Sequence, residues 1–246
     1  MTRSGAGSTE PPESAGVGSP GTGAGRPAFY ALAPGGWRDY WTLLHPPYTL
    51  WHLSYVAIGA ALAPRFALDR LAWALLAFAL AMGVAAHALD ELRGRPLGTR
   101  IPGRVLVGAA AASLAAAAAI GVGAAFAWGL GLLVFIPVGA FLVVAYNLEL
   151  FGGRFHGDRW FALSWGAFPV VTGYFVEAQT LRPEAVLAAA FALLLSLAQR
   201  VLSTPARAAR RAGGAAEVAR APEAALRLLW PATVALAAAL VVYRSG

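Results

Sequence analysis

His87, Asp90 and Glu91 stand at i, i+3 and i+4 in the stretch His87-Ala-Leu-Asp90-Glu91-Leu-Arg93-Gly-Arg95-Pro96-Leu-Gly-Thr99-Arg100-Ile101-Pro102. On a helix that spacing sets an imidazole and two carboxylates on one face. Such a trio can hold a divalent cation, and Mg²⁺ takes one or two carboxylates plus the oxygens of a bound phosphate. Arg93, Arg95 and Arg100 follow at once, and planar guanidinium forks suit phosphate oxygens. The same residues also read as an interfacial patch of ion pairs that fixes a helix end, and spacing alone does not choose.

Two further clusters carry polar chemistry. Gln199-Arg200-Val-Leu-Ser203-Thr204-Pro205-Ala-Arg207-Ala-Ala-Arg210-Arg211 has the donors to grip a diphosphate but no carboxylate for a metal. Its plain alternative is a basic loop facing anionic lipid. Tyr146-Asn147-Leu-Glu149 and, beyond a Gly-rich loop, His156 and Asp158 form the other cluster. Glu149, His156 and Asp158 are metal-ligand types, while Tyr146 and Asn147 read either as ligand-facing groups or as hydrogen-bonded packing. His45 and His52 lie seven residues apart, two turns on one helical face. A bundle-facing histidine bonded to a neighbour is the expectation there.

The elements that must position these groups follow from composition. Hydrophobic residues are 59% of the 246 and charged residues 13%, about half the usual globular share. A soluble core of this size cannot absorb so much apolar surface, so lipid is the expected solvent. The absence of Cys excludes disulfides, zinc–thiolate sites, iron–sulfur clusters and thiol nucleophiles. The absence of Lys excludes Schiff-base chemistry and a Walker-type phosphate loop. All the positive charge behind the net +7 is therefore Arg. Its placement between apolar runs favours anionic headgroups or a phosphorylated ligand over nucleic acid.

Residues 1–36 are rich in Gly, Ser and Pro and read as a disordered tail; residues 37–246 read as a transmembrane helical domain. Trp37, Tyr40 and Trp41 suit an interfacial turn of helix. Seven apolar stretches follow, at about 43–63, 71–90, 105–123, 127–147, 159–177, 184–203 and 223–243. Each is near the roughly 20 residues that cross a bilayer core. The third, rich in Ala and Gly, is expected to pack closely between neighbours. A tight turn into the fourth is expected between Gly121 and Trp128. With the N-terminus inside, fourteen Arg fall on the cytoplasmic side against four outside, Arg227 lying within the last stretch. That asymmetry orients an integral protein of the cytoplasmic membrane and puts the loops after the second, fourth and sixth stretches inside. The fold expected is all-α, a polytopic bundle of about seven spans.

Residues 43–205 resemble the UbiA superfamily of intramembrane prenyltransferases. Members carry N-D-x-x-D-x-x-x-D at the end of the second helix, followed by N-R-P-x-R-P-I-P. Gly94-Arg95-Pro96-Leu97-Gly98-Thr99-Arg100-Ile101-Pro102 is similar to that tail. Counting back from Arg95-Pro96 sets Glu91 at the last Asp of the pattern and His87 at the one before, with Asp90 beside them. His45-Pro46 and the run Gly59-Ala60-Ala61 resemble the family's opening helix. Tyr146 and the series Gly166, Pro169, Gly173 resemble its fourth and fifth. The resemblance implies a UbiA-like bundle that moves a prenyl group from an isoprenyl diphosphate to a hydrophobic acceptor with the help of Mg²⁺. It implies His87, Asp90 and Glu91 as metal ligands, and Arg95, Arg100, Arg200 and Arg207 as diphosphate-binding residues. Asp90, Glu91, Tyr146 and Asn147 are then catalytic, the last two steadying the cation or the acceptor. Two departures stand out: members have nine helices against seven stretches here, and Gln199-Arg200 occupies the place of the second Asp-rich motif. Either Arg200 and Arg207 neutralise the leaving diphosphate in place of that metal site, or the chain is a non-catalytic binder of isoprenoid or anionic lipid, or an assembly partner.

Overall fold

The computed structural model describes residues 27–211 and 216–246, and every regular element among them is helical. In chain order these are α1 (Trp37–Leu43), α2 (Pro46–Leu62), α3 (Leu68–Leu92), α4 (Gly103–Trp128) and α5 (Leu130–Asn147). Then come α6 (158–178), α7 (Pro183–Arg211) and α8 (Ala216–Ser245). Among the described residues five helices, α3, α4, α5, α7 and α8, are long and apolar enough to cross a membrane. The chain is a membrane protein of all-α class.

Local sequence explains the boundaries. Pro46 and Pro47 open α2 at the positions where a missing N–H costs least. Gly129, at φ 155°, breaks the chain between α4 and α5. The expected turn between Gly121 and Trp128 therefore falls later: α4 runs unbroken to Trp128, because nothing in its Ala-rich run competes with the helix. Two helices carry a π turn, α3 at Ala79–Ala86 and α6 at Leu163–Ala167. The second spans Trp165 and Gly166.

At 17 residues α2 is the shorter, inner element of the bundle, with eleven of those residues buried. It crosses α6 at backbone contact. A methyl group on Gly59 would stand 2.1 Å from the Val170 carbonyl oxygen, and one on Gly173 would stand 2.2 Å from that of Val56. His52 closes the same seam: its Nδ1 lies 2.8 Å from the Trp165 carbonyl in the π turn, the packing role expected for it. By contrast α4 is the outermost span, with 11% of its apolar window buried. Close packing of that helix between neighbours does not occur; its alanines face outward because α3 and α5 contact only one side of it.

Residues 1–26 lie outside the described residues, but 27–36 pack onto the bundle, with Ala28 and Ala31 buried.

Candidate functional site

The start of α2 meets the ends of α3, α5 and α7 at one end of the bundle, and the polar residues gather there. His45 precedes Pro46 in a left-handed conformation (φ 46°, ψ 54°), which only a few per cent of non-Gly residues adopt. Its buried ring stacks on that of His87, with centroids 4.2 Å apart and planes 12° from parallel. His87 Nδ1 lies 3.0 Å from the Gly83 carbonyl within the π turn of α3, and a carbonyl can only accept, so Nδ1 carries the proton.

Asp90, one turn beyond His87, lies within electrostatic range of Arg207, His156 and Arg200. Tyr146 of α5 is buried and within range of Arg200, Asp90 and Arg207. The Arg200 guanidinium stands 5.3 Å above the Phe161 ring, with its Nε 2.7 Å from Asp158 Oδ1. Arg207 donates to Ser203 Oγ at 3.2 Å. Thus α3, α5 and α7 bring one carboxylate, one phenol and two guanidiniums into one polar cluster at this end of the bundle, here termed the polar chamber.

Other residues singled out from sequence lie beside this chamber and do different work. Glu91 is fully buried, and its carboxylate accepts from Leu97 N (3.0 Å), Thr99 N (2.8 Å) and Thr99 Oγ1 (2.8 Å). Arg95, at φ 52°, donates inward to the carbonyls of Ile101 (2.7 Å) and Thr99 (3.4 Å). The Arg100 side chain is exposed, while its backbone N–H reaches Asp39 Oδ2 at 2.9 Å. These bonds fold residues 93–102 into a fixed loop under the chamber. Asn147 donates to the Val143 carbonyl of its own helix at 2.7 Å. Among the described residues no three His, Asp or Glu side chains gather around a common point.

Of Glu149, His156 and Asp158, the first two lie together, with His156 Nε2 3.9 Å from Glu149 Oε1, while Asp158 goes elsewhere. Glu149 pairs with Arg93 at 2.9 Å and Asp158 with Arg200, while His156 Nδ1 donates to the Tyr146 carbonyl at 2.9 Å. Sequence reasoning missed Tyr30 and Asp39 as neighbours of this site. The signal present was an aromatic pair, Phe29-Tyr30, interrupting a Gly/Ser/Pro-rich stretch.

An open apolar cleft lies between α3, α4, α5 and α6. Met82, Val143 and Trp165 line one end of it, and Trp73 and Trp128 line the other. Tyr146 packs edge-on to Trp165, a lining residue of the cleft, with centroids 5.9 Å apart, so one aromatic contact separates the polar cluster from the cleft. Between Trp73 and Met82, α3 rises nine residues, roughly 13 Å at 1.5 Å each. Thr172 and Ser164 are its polar exceptions, and Thr172 bonds back to the Phe168 carbonyl. Charged groups thus stand next to an apolar slot, the two kinds of surface that ligand sites combine. No known family pattern, curated protein or solved structure matches the chain.

Proposed function

We propose that the chain is a UbiA-like membrane prenyltransferase of seven spans, with α2 and α6 completing the five apolar helices and the chamber facing the cytoplasm. One observation supports this reading: Asp90, Arg200, Arg207 and Tyr146 cluster at one end of the bundle, and Tyr146 packs on Trp165, a lining residue of the apolar cleft. In the reaction the C1–O bond of an isoprenyl diphosphate breaks and its electron pair leaves with the diphosphate. A nucleophilic atom of a hydrophobic acceptor then bonds to the allylic carbon and loses its proton. Arg200 and Arg207 offset the charge growing on the leaving group, where fixed cations act most strongly in a dry site. Tyr146 presents its ring where the cleft meets the chamber, near the carbon that becomes positive.

Magnesium fits here in a reduced form. The Asp90 carboxylate together with diphosphate oxygens would hold it, whereas Glu91 has both oxygens committed to the loop. When bound, the ion would add positive charge against the diphosphate.

The test is pyrophosphate release from geranyl, farnesyl and geranylgeranyl diphosphates by purified protein in lipid nanodiscs with Mg²⁺. Turnover that falls at least about tenfold in Asp90→Asn is the expected result, a loss of roughly 1.4 kcal/mol in barrier lowering. The commitment of Glu91 to the loop favours a second reading, a binder of prenyl or anionic lipid without chemistry. Tight binding with no turnover across all three chain lengths would select it.

A further inference from the structure

The segment ahead of α1 runs over the chamber rather than along the outside of the bundle. Tyr30 Oη is hydrogen-bonded to His45 Nδ1 at 2.8 Å and lies within electrostatic range of Tyr48, Arg207 and Asp90. Phe29 meets Tyr48 edge-on at 6.2 Å and lies 4.9 Å beneath the Arg227 guanidinium of α8. Two bonds tie the rest of the segment to α1: Leu32 N to Thr42 Oγ1 at 3.0 Å, and Gly35 N to Asp39 Oδ1 at 2.8 Å. Between segment and helix stands Pro34-Gly35-Gly36, whose glycines have φ of 123° and 60° with nothing within 4 Å of where a side chain would start. The Gly35–Asp39 bond holds that corner.

An allylic cation is quenched by water, so the chemistry proposed for the chamber requires a cover, and movable segments commonly supply one. We propose that residues 27–35 are a closing strap over the chamber, latched by the Tyr30–His45 hydrogen bond, which opens at Pro34-Gly35-Gly36 to admit a diphosphate headgroup. Tyr30 is a positioning residue: it holds His45 against His87 and touches no reacting atom. The ligand class rests on the transferase reading; the strap itself rests on the contacts above.

The chain has no Cys, so one introduced thiol reports alone. Ser203, 1% exposed and bonded to Arg207, is the place for it. In full-length protein in phosphatidylcholine–phosphatidylglycerol nanodiscs, Ser203→Cys reacts slowly with a water-soluble methanethiosulfonate. Adding Tyr30→Phe, which keeps the ring and removes the hydroxyl, speeds labelling about fivefold, the opening expected from one lost hydrogen bond. Thr42→Ala, which frees the strap from the other side, speeds it as well. Tyr30→Phe also raises the association and dissociation rates of inorganic pyrophosphate together, which a merely structural role would not do. Unchanged labelling in both variants, with circular dichroism and elution as in the parent, overturns the strap. Pyrophosphate binding by equilibrium dialysis separates the two ideas. Binding with unchanged labelling leaves the diphosphate site standing without its strap. Faster labelling in a protein that never binds pyrophosphate keeps the strap and removes the diphosphate reading.

Discussion

His45 and His87, forty-two positions apart in the chain, lie ring on ring at 4.2 Å and join the head of α2 to the last turns of α3. Each ring has a second anchor, Tyr30 for His45 and the Gly83 carbonyl for His87. Stacked rings of this kind contribute about 0.5–1.5 kcal/mol beyond burial. His45→Asn tolerates the left-handed backbone but loses the ring, and His87→Asn loses the other half. We expect each to lower thermal stability and the pair to be non-additive by about 1 kcal/mol in a double-mutant cycle. Strict additivity would show that the rings do not interact.

Glu91 and Asp90 are adjacent in sequence and separate in effect. Glu91→Gln places an amide among three donors, so the loop at 93–102 loses bonds to a charged acceptor, each worth about 1.5–3 kcal/mol. The expected result is a lower unfolding temperature with pyrophosphate affinity retained by the folded fraction. Asp90→Asn is expected to do the opposite: normal melting and weakened Mg²⁺-dependent binding. Equal binding losses in both variants would return Glu91 to the ligand set.

Arg207 faces the chamber with Ser203 Oγ as its hydrogen-bond acceptor. Arg207→Ala should weaken pyrophosphate about ten- to a hundredfold, the value of one charge-assisted contact. Arg207→Lys should recover only part of this, since a point charge replaces a fork. Titration calorimetry in nanodiscs reads both.

The α2–α6 crossing predicts a sharp contrast among glycines. Gly173→Ala drives a methyl into the Val56 carbonyl, and overpacking of this kind costs about 1–3 kcal/mol. Gly108→Ala on α4 meets nothing within 4 Å and should be neutral or gain up to about 1 kcal/mol from helix propensity. Thermal melts that rank the two the other way would contradict the crossing.

The cleft predicts a ruler. Ala77 lines it, near the Trp73 end. Ala77→Trp should leave geranyl diphosphate turnover within about threefold while reducing geranylgeranyl diphosphate by tenfold or more, roughly 1.4 kcal/mol. Equal loss for both chains would mean that the tail lies elsewhere.

What the sequence made legible followed from periodicity and from the cost of burying charge. Asp90, Tyr146, Arg200 and Arg207 stand at the ends of apolar runs, and alternation of those runs brings them to one end of the bundle. The direction of individual side chains was not legible. Glu91 shares a helical face with His87 in the spacing argument, yet the amides of Leu97 and Thr99 capture it, because a loop that reverses sharply must find acceptors for its N–H groups. Tyr30 escaped notice because composition over a window averages two aromatic residues into their Gly-rich surroundings. The α3 π turn left no mark on hydropathy, since inserting one residue into an apolar run changes nothing in its mean.

The bareness of α4 bears on what surrounds the protein. Leu114, Ala117, Ala118 and Gly121 face the cleft, and Ala111, Ala112, Ala115 and Ala119 stand on or toward the opposite, exposed flank. The partition there is little more than a backbone cylinder, about 2.3 Å in radius at its Cα atoms. A single helix of small residues, under about 10 Å across, is therefore the whole wall between the cleft and whatever solvates that flank.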